Sequence, residues 1–271
     1  MSWIDLDGAV NVRDVGGLPT VDGRATRAGV LLRSDNLQDL SAADVQRLVG
    51  ELGVRTVLDL RSSGEVHLTG PGPLRGAGPA HHQLSLIPEW DGEPDREEVD
   101  RALDSAVQDA LPSLAPGPRQ QGPTDLGDHY GDYIAKAGDN LGRALRLLAD
   151  PASGTTLVHC AAGKDRTGVV VALALSLVGV RRDAVVADYV RSAERADRIL
   201  ARLKSTTAYG PSLARTSVAD ITPVAGSMEH FLDTVDREHG GPHGLALSLG
   251  VDEEAVARLG VRLVGTSALA R

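Results

Sequence analysis

The stretch VHCAAGKDRTG, Val158 to Gly168, holds the only cysteine of a 271-residue chain and one of its three lysines. Cys160 and Arg166 are separated by five residues, Ala161, Ala162, Gly163, Lys164 and Asp165. The apolar run TTLVHC leads in as a strand, and TGVVVALALSLVGV leads out as a helix apolar nearly all round, so the five residues form a tight loop at a helix N-terminus. Successive N–H groups in such a loop make a nest for a tetrahedral oxyanion. Gly163 permits a turn that a side chain would resist, and the small Ala161 and Ala162 leave room for a ligand to approach. The same field favours the thiolate of Cys160, which is the nucleophilic form. Arg166 supplies a planar fork for two phosphate oxygens. Thr167 can donate its hydroxyl to the sulfur, making it a better leaving group. The chemistry these residues suit is phosphoryl transfer to sulfur.

Three rival readings are weaker. A lone cysteine is most often a small buried hydrophobe, but one between a strand and a five-residue loop closed by Arg-Thr has a chemical context. A Walker loop needs Gly, four residues, then Gly-Lys-Ser/Thr; counting from Gly163, Val158 stands in the first glycine position and Asp165 in the hydroxyl position. A zinc site fails because Cys160 beside His159 has no second spaced pair. No metal ligand set and no cofactor is implied.

The elements that must position this loop follow an α/β order, expected to build a central, mostly parallel sheet flanked by helices. Ala28–Ser34 reads as a buried strand, Ser41 as an N-cap with Asp44 in a capping-box place ahead of a helix to about Leu52, and Val54–Leu60 as a second strand. HHQLSLIP, with Leu84 and Leu86 alternating, reads as another strand. Val99, Leu103 and Val107 recur at helical spacing, Pro112–Gly127 reads as a surface loop, and His129–Leu148 as a helix. Asp183 reads as the cap of a helix running to about Leu203, Ser227 as the cap of another to His239, and Asp252–Leu259 as the last. No linker divides the chain, so 1–271 is expected to be one domain.

Composition narrows the partners. A net charge of −9 argues against a general nucleic-acid or anionic-membrane binder, though not against an anionic small substrate. One cysteine forms no internal disulfide. No apolar run reaches the ~20 residues of a membrane span, and MSWIDLDGAV lacks the pattern of a signal peptide. The expectation is a soluble, cytoplasmic protein, with non-classical secretion and oligomeric state both open.

HCAAGKDRTG resembles the active-site loop of the protein tyrosine phosphatase superfamily, His-Cys, five residues, Arg, Ser/Thr. The Lys164-Asp165 pair resembles an atypical bacterial branch acting on phosphotyrosine and often on phosphoinositides. NVRDVGG (11–17), LLRSDNL (31–37), LDLRSSGEV (58–66), ADYVRS (187–192) and FLDTVDREHGG (231–241) look like the same branch. The resemblance implies metal-independent hydrolysis of phosphomonoesters, on phosphotyrosine and on phosphoinositides or phosphoserine/threonine, with Cys160 as nucleophile, Ala161 to Arg166 cradling the phosphate, and Lys164 touching it. The superfamily's Trp-Pro-Asp acid loop is missing; Asp165 ranks first as general acid, Asp91 in IPEWD second, with Glu89 beside it. The resemblance also implies a helical lid within about 190–230. Arg13, Arg33 and Arg61 are read mostly as partners of Asp14, Asp35 and Glu65, and Tyr130 and Tyr133 as packing. A phosphatase of a soluble nucleotide or sugar phosphate, and a phosphate-binding module without turnover, remain as alternatives; a sulfurtransferase or arsenate-reducing thiol enzyme is more distant, for want of a second cysteine.

Overall fold

The computed structural model describes residues 2–87, 89, 123–206 and 208–265. Five strands, β1 (Arg13–Asp14), β2 (Leu31–Ser34), β3 (Val54–Asp59), β4 (Ala80–Gln83) and β5 (Thr155–His159), form one sheet in the order β1-β2-β5-β3-β4. β2, β5, β3 and β4 run parallel, and β1 pairs antiparallel at the edge. The expected α/β architecture is the observed one. The β-α-β unit from β2 to β3 is present, but β5 enters between its two strands, so the loop-bearing strand is the central one.

The helices are α1 (Ala42–Gln46), α2 (Ser63–Thr69), α3 (Pro123–Ala149), α4 (Asp165–Leu177), α5 (Arg182–Val190), α6 (Ala196–Ser205), α7 (Val218–Ile221), α8 (Ala225–His239), α9 (Pro242–Ser248) and α10 (Glu253–Leu263). At α1 the capping box forms as expected: Ser41 Oγ accepts the Asp44 N–H at 3.1 Å, and the Asp44 carboxylate accepts the Ser41 N–H at 2.9 Å. After Gln46 the helix widens into a π-helical turn, Arg47–Glu51. Buried from Asp165 to Leu175, α4 packs against α3, α5, α9 and α10. That burial is why its sequence is apolar all round rather than on one stripe.

Several boundaries differ from the sequence reading. The strand at His81 stops at Gln83, because β3 ends at Asp59 opposite it; Leu84 and Leu86 are buried beyond the paired segment. Pro123–Gly127 belongs to α3, not to a loop. Asp183 is no cap: α5 starts at Arg182, and the Asp183 carboxylate pairs with Arg181. The long helix expected from Asp183 to Leu203 breaks at a 3-10 turn, Arg191–Arg195. Ser227 lies buried inside the first turn of α8, whose cap is Val224. Asp252, read as the first residue of the last helix, is the cap of α10 and accepts the Ala255 N–H at 2.7 Å, and the helix runs on past Leu259 to Leu263. The helical spacing at Val99 to Val107 falls outside the described residues.

Candidate active site

The register Ser34↔His159↔Asp59 ends three parallel strands at one rim. Ligands of open α/β sheets sit outside such carboxyl ends. From the central strand the chain turns through Cys160 to Lys164 into α4, and all of this loop is buried. Gly163 has φ +65°, and a Cβ there would lie 2.4 Å from the Ser34 carbonyl oxygen; only glycine fits both demands. Lys164 stands at the N-cap of α4 and caps nothing with its side chain.

Arg166 is fully buried and held from one side. Its Nη1 donates to Glu65 Oε2 at 2.6 Å and to the Leu60 carbonyl at 3.2 Å, and its Nη2 to Glu65 Oε1 at 2.9 Å. Burial disfavours the guanidinium charge, but Glu65 more than offsets that and raises its pKa well above the ordinary value. Burial opposes the Glu65 carboxylate, but Arg166, the Tyr209 hydroxyl and the Ser62 N–H together hold its carboxyl below its ordinary range. Two buried donors nearby, Arg166 Nε and Thr167 Oγ1, have no hydrogen-bond partner among the described residues. Such groups cost about 1–3 kcal/mol each when left unsatisfied, and they suit an incoming oxyanion and the sulfur. The Glu65 clamp is absent from the sequence reading, although Ser62-x-x-Glu65 has the capping-box spacing that places it, and both halves of that box form.

Asp165 ends a chain of hydroxyls. Tyr130 donates to its Oδ1 at 2.5 Å, and Tyr189 lies 2.7 Å from the Tyr130 oxygen. Since Tyr130 has one proton and gives it to the carboxylate, Tyr189 donates to Tyr130. Burial and the Asp165 charge push Tyr130 well above its ordinary pKa, so the hydroxyl stays a donor. Lys164 Nζ is 3.5 Å from Asp165 Oδ2 and donates to the Ile221 carbonyl at 2.8 Å. The rings of Tyr130 and Tyr133 are buried in the core, but Tyr130 goes beyond the packing role expected of it, because its hydroxyl holds Asp165. Glu89 is placed at the start of α2, where its carboxylate accepts the Ser63 N–H at 2.8 Å. Asp91 lies outside the described residues.

The arginine pairings differ from those expected. Arg13 Nε and Arg33 Nη1 both donate to Asp188, at 2.9 and 2.5 Å. Adjacent strand residues point to opposite faces, so Arg13 cannot turn to Asp14. Against the cost of burial, the two guanidinium charges hold the Asp188 carboxyl at about 2. Arg61 pairs with Asp59 at 2.5 Å rather than with Glu65. Asp35 accepts the N–H groups of Val10 and Asn11, and Arg202 approaches it at 3.3 Å.

Above the loop, Ala161 and Ala162 share one apolar cluster with Ile199, Leu203, Tyr209, Leu213 and Ile221, from α6 to α7. Tyr209 donates to Glu65 Oε1 at 2.6 Å. Residues of α6 and α7 and of the turn between them thus pack on the cradle at Ala161 and Ala162, and Cys160 itself is 1% exposed.

A central parallel strand, a cysteine, a five-residue loop and a carboxylate-clamped arginine on a buried helix together define a phosphatase of the Cys-x5-Arg class. The chain belongs to the tyrosine phosphatase family, whose profile matches residues 4–265. It is 32% identical over 287 residues to the triple specificity protein phosphatase PtpB of Mycobacterium tuberculosis, covering 98% of this chain and 100% of that one. A Cupriavidus necator chain carrying a provisional tyrosine-protein phosphatase name is 34% identical over 70% of this chain and 63% of its own. A tyrosine-protein phosphatase of Nostoc commune is 26% identical over 90% of this chain and 78% of its own. Among the described residues no helix is long and apolar enough to cross a membrane.

Proposed function

We propose that this protein phosphatase works through a phosphocysteine and accepts phosphotyrosine, phosphoserine/threonine and phosphoinositides. The observation that carries the mechanism is Arg166, locked by Glu65 and presenting an unpartnered Nε within the loop that begins at Cys160. In the first step the Cys160 thiolate forms an S–P bond as the ester P–O bond breaks, and the leaving oxygen takes a proton from an acid. In the second, water attacks phosphorus and gives a proton to a carboxylate, the S–P bond breaks, and phosphate and thiolate are released. Asp165 is the first candidate for the acid–base group and Asp91 the second. Ala161 to Arg166 hold the phosphoryl group through both steps, which lowers the orientational cost. We read 1–271 as one domain with a lid within about 190–230, since residues of α6 and α7 pack on Ala161 and Ala162 of the cradle and the buried Cys160 must be uncovered before a substrate enters. The three substrate classes are those the resemblance of the sequence motifs implies; the mycobacterial relative's name supplies only the words triple specificity.

Phosphate release from phosphotyrosine and phosphoserine peptides, phosphoinositides and nucleotide monophosphates, with a chelator present, tests this beside Cys160→Ser. Chelator-resistant turnover that the variant loses supports the mechanism, and turnover that the variant keeps refutes it. A preference for nucleotide monophosphates would overturn the substrate assignment alone.

A further inference from the structure

We propose that Asn11 and Arg33 are positioning residues of the reaction, which turn the amides of the phosphate cradle onto the transferring group by holding its carbonyls from behind. In a planar trans peptide the C=O of one residue and the N–H of the next point in opposite directions, and among the described residues no peptide bond is cis. Fixing a carbonyl on one side of the loop therefore aims the following N–H to the other.

Three successive carbonyls are fixed in this way. The Ala161 oxygen accepts the Asn36 N–H at 3.1 Å. The Ala162 oxygen accepts Asn11 Nδ2 at 2.9 Å. The Gly163 oxygen accepts Asn11 Nδ2 at 3.1 Å and Arg33 Nη2 at 2.8 Å. The N–H groups of Ala162, Gly163 and Lys164 are thereby aimed together, away from Asn11 and Arg33, and converge as an oxyanion nest requires.

The two donors are themselves constrained. Arg13 Nη1 donates to Asn11 Oδ1 at 2.8 Å, which settles which end of the amide faces the loop. Ser192 Oγ lies 3.2 Å from Asn11 Nδ2 and 3.3 Å from Arg13 Nη2. Asp188 receives Arg33 and Arg13 on its two oxygens, and its carbonyl receives Arg13 Nη2 at 2.7 Å. All five side chains are buried. Residues from the segments 11–17, 31–37 and 187–192, far apart in sequence, thus meet in one network whose contacts to the loop are the Ala162 and Gly163 carbonyls. Preorganised amides act on charge that develops in the transition state, so their loss lowers kcat more than it raises KM.

This role rests on the proposed cysteine mechanism for its kinetic consequence but not for its binding consequence, so both are measured. Asn11→Asp, which turns a donor into an acceptor at nearly constant size, Asn11→Ala and Arg33→Lys are compared with wild type. Val54→Ala, in a separate apolar cluster, serves as a destabilised control. The readouts are kcat and KM, calorimetric affinity for orthovanadate, and melting temperature. In the Asn11 variants kcat and vanadate affinity are expected to fall together by about 10- to 100-fold with KM changed by less than about threefold. Arg33→Lys, which retains a charged donor, lies between them and wild type, and Val54→Ala melts lower with neither constant moved. Asn11 variants that behave like Val54→Ala would overturn the proposal, as would a wild type that binds no vanadate. Wild type without Cys160-dependent turnover, but with vanadate binding that the Asn11 variants lose, would sink the mechanism and leave the positioning role standing.

Discussion

Gly163 and Glu65 show how differently two residues of one site are written in the sequence. Gly163 was legible, because a five-residue loop that turns from strand to helix around an anion needs a backbone that side chains resist. With φ +65° and a Cβ position 2.4 Å from the Ser34 carbonyl oxygen, Gly163→Ala is expected to destabilise by more than the ~1 kcal/mol that an ill-placed alanine costs, read as a lower midpoint in urea. Glu65 was not legible as the arginine clamp, since its partner lies 101 residues away and its local signal is that of a helix cap. Glu65→Gln keeps the shape and removes the charge that holds Arg166. Breaking a buried pair costs about 3–5 kcal/mol, so a large drop in melting temperature is expected, with kcat reduced at least tenfold in the protein that remains folded. Full kcat in Glu65→Gln would mean that Arg166 is oriented by the loop alone. Arg13 and Arg33 show the opposite case: the acidic residues nearest in sequence are not their partners, because strand geometry sends these side chains across the molecule to Asp188.

At the scale of elements, the sequence reads well where burial is uniform and poorly where a contact from elsewhere decides. The strand before Cys160 and the helix after Arg166 are unmistakable because both are buried on all sides. The break between α5 and α6 has no local signature; it coincides with Arg13 and Asn11 reaching the Asp188 carbonyl and Ser192. Residues between α6 and α7 are likewise placed by what lies beneath them. Ala208, Tyr209 and Leu213 are buried against Ala161 and Ala162 without forming a regular helix. Tyr209 ties this cover to Glu65 through one hydroxyl at 2.6 Å. Tyr209→Phe removes that bond and keeps the ring, a loss of about 1–3 kcal/mol for a bond to a charged group. If that loss falls on opening of the cover, iodoacetamide alkylates Cys160 at least fivefold faster than in wild type. An unchanged rate would place the opening elsewhere, with Tyr209 bound to Glu65 in the open form as well.

For the molecule as a whole, the groups buried at the sheet rim set how stability depends on pH. His159, one residue before the nucleophile, is buried, and burial together with the Arg61 charge outweighs Asp59 and pushes its imidazole down to about 4. In the unfolded chain the same ring takes a proton near its ordinary value of about 6.5. Between those values the unfolded state binds more protons than the native one, so stability falls as pH falls from about 6.5 to 4, by roughly 3 kcal/mol in all. His81 and His82, also lowered by burial, add smaller slopes of the same sign. The carboxyls of Asp188 and Asp59 are held at about 2 against the cost of their burial, Asp188 by Arg13 and Arg33, Asp59 first by the charge that His159 carries once protonated and then by Arg61. Their contribution is complete above about pH 4 and is lost as the pH falls through their native values. Two acid limbs follow, and a single substitution separates them. Melting temperature recorded from pH 8 to 3 is expected to decline below pH 6.5 in wild type. In His159→Asn that decline should be mostly gone between pH 6.5 and 4 and resume below 4. A variant whose upper limb is as steep as that of wild type would mean that native His159 takes up its proton no later than the unfolded ring does, placing a second cation beside Asp59 below about pH 6.5.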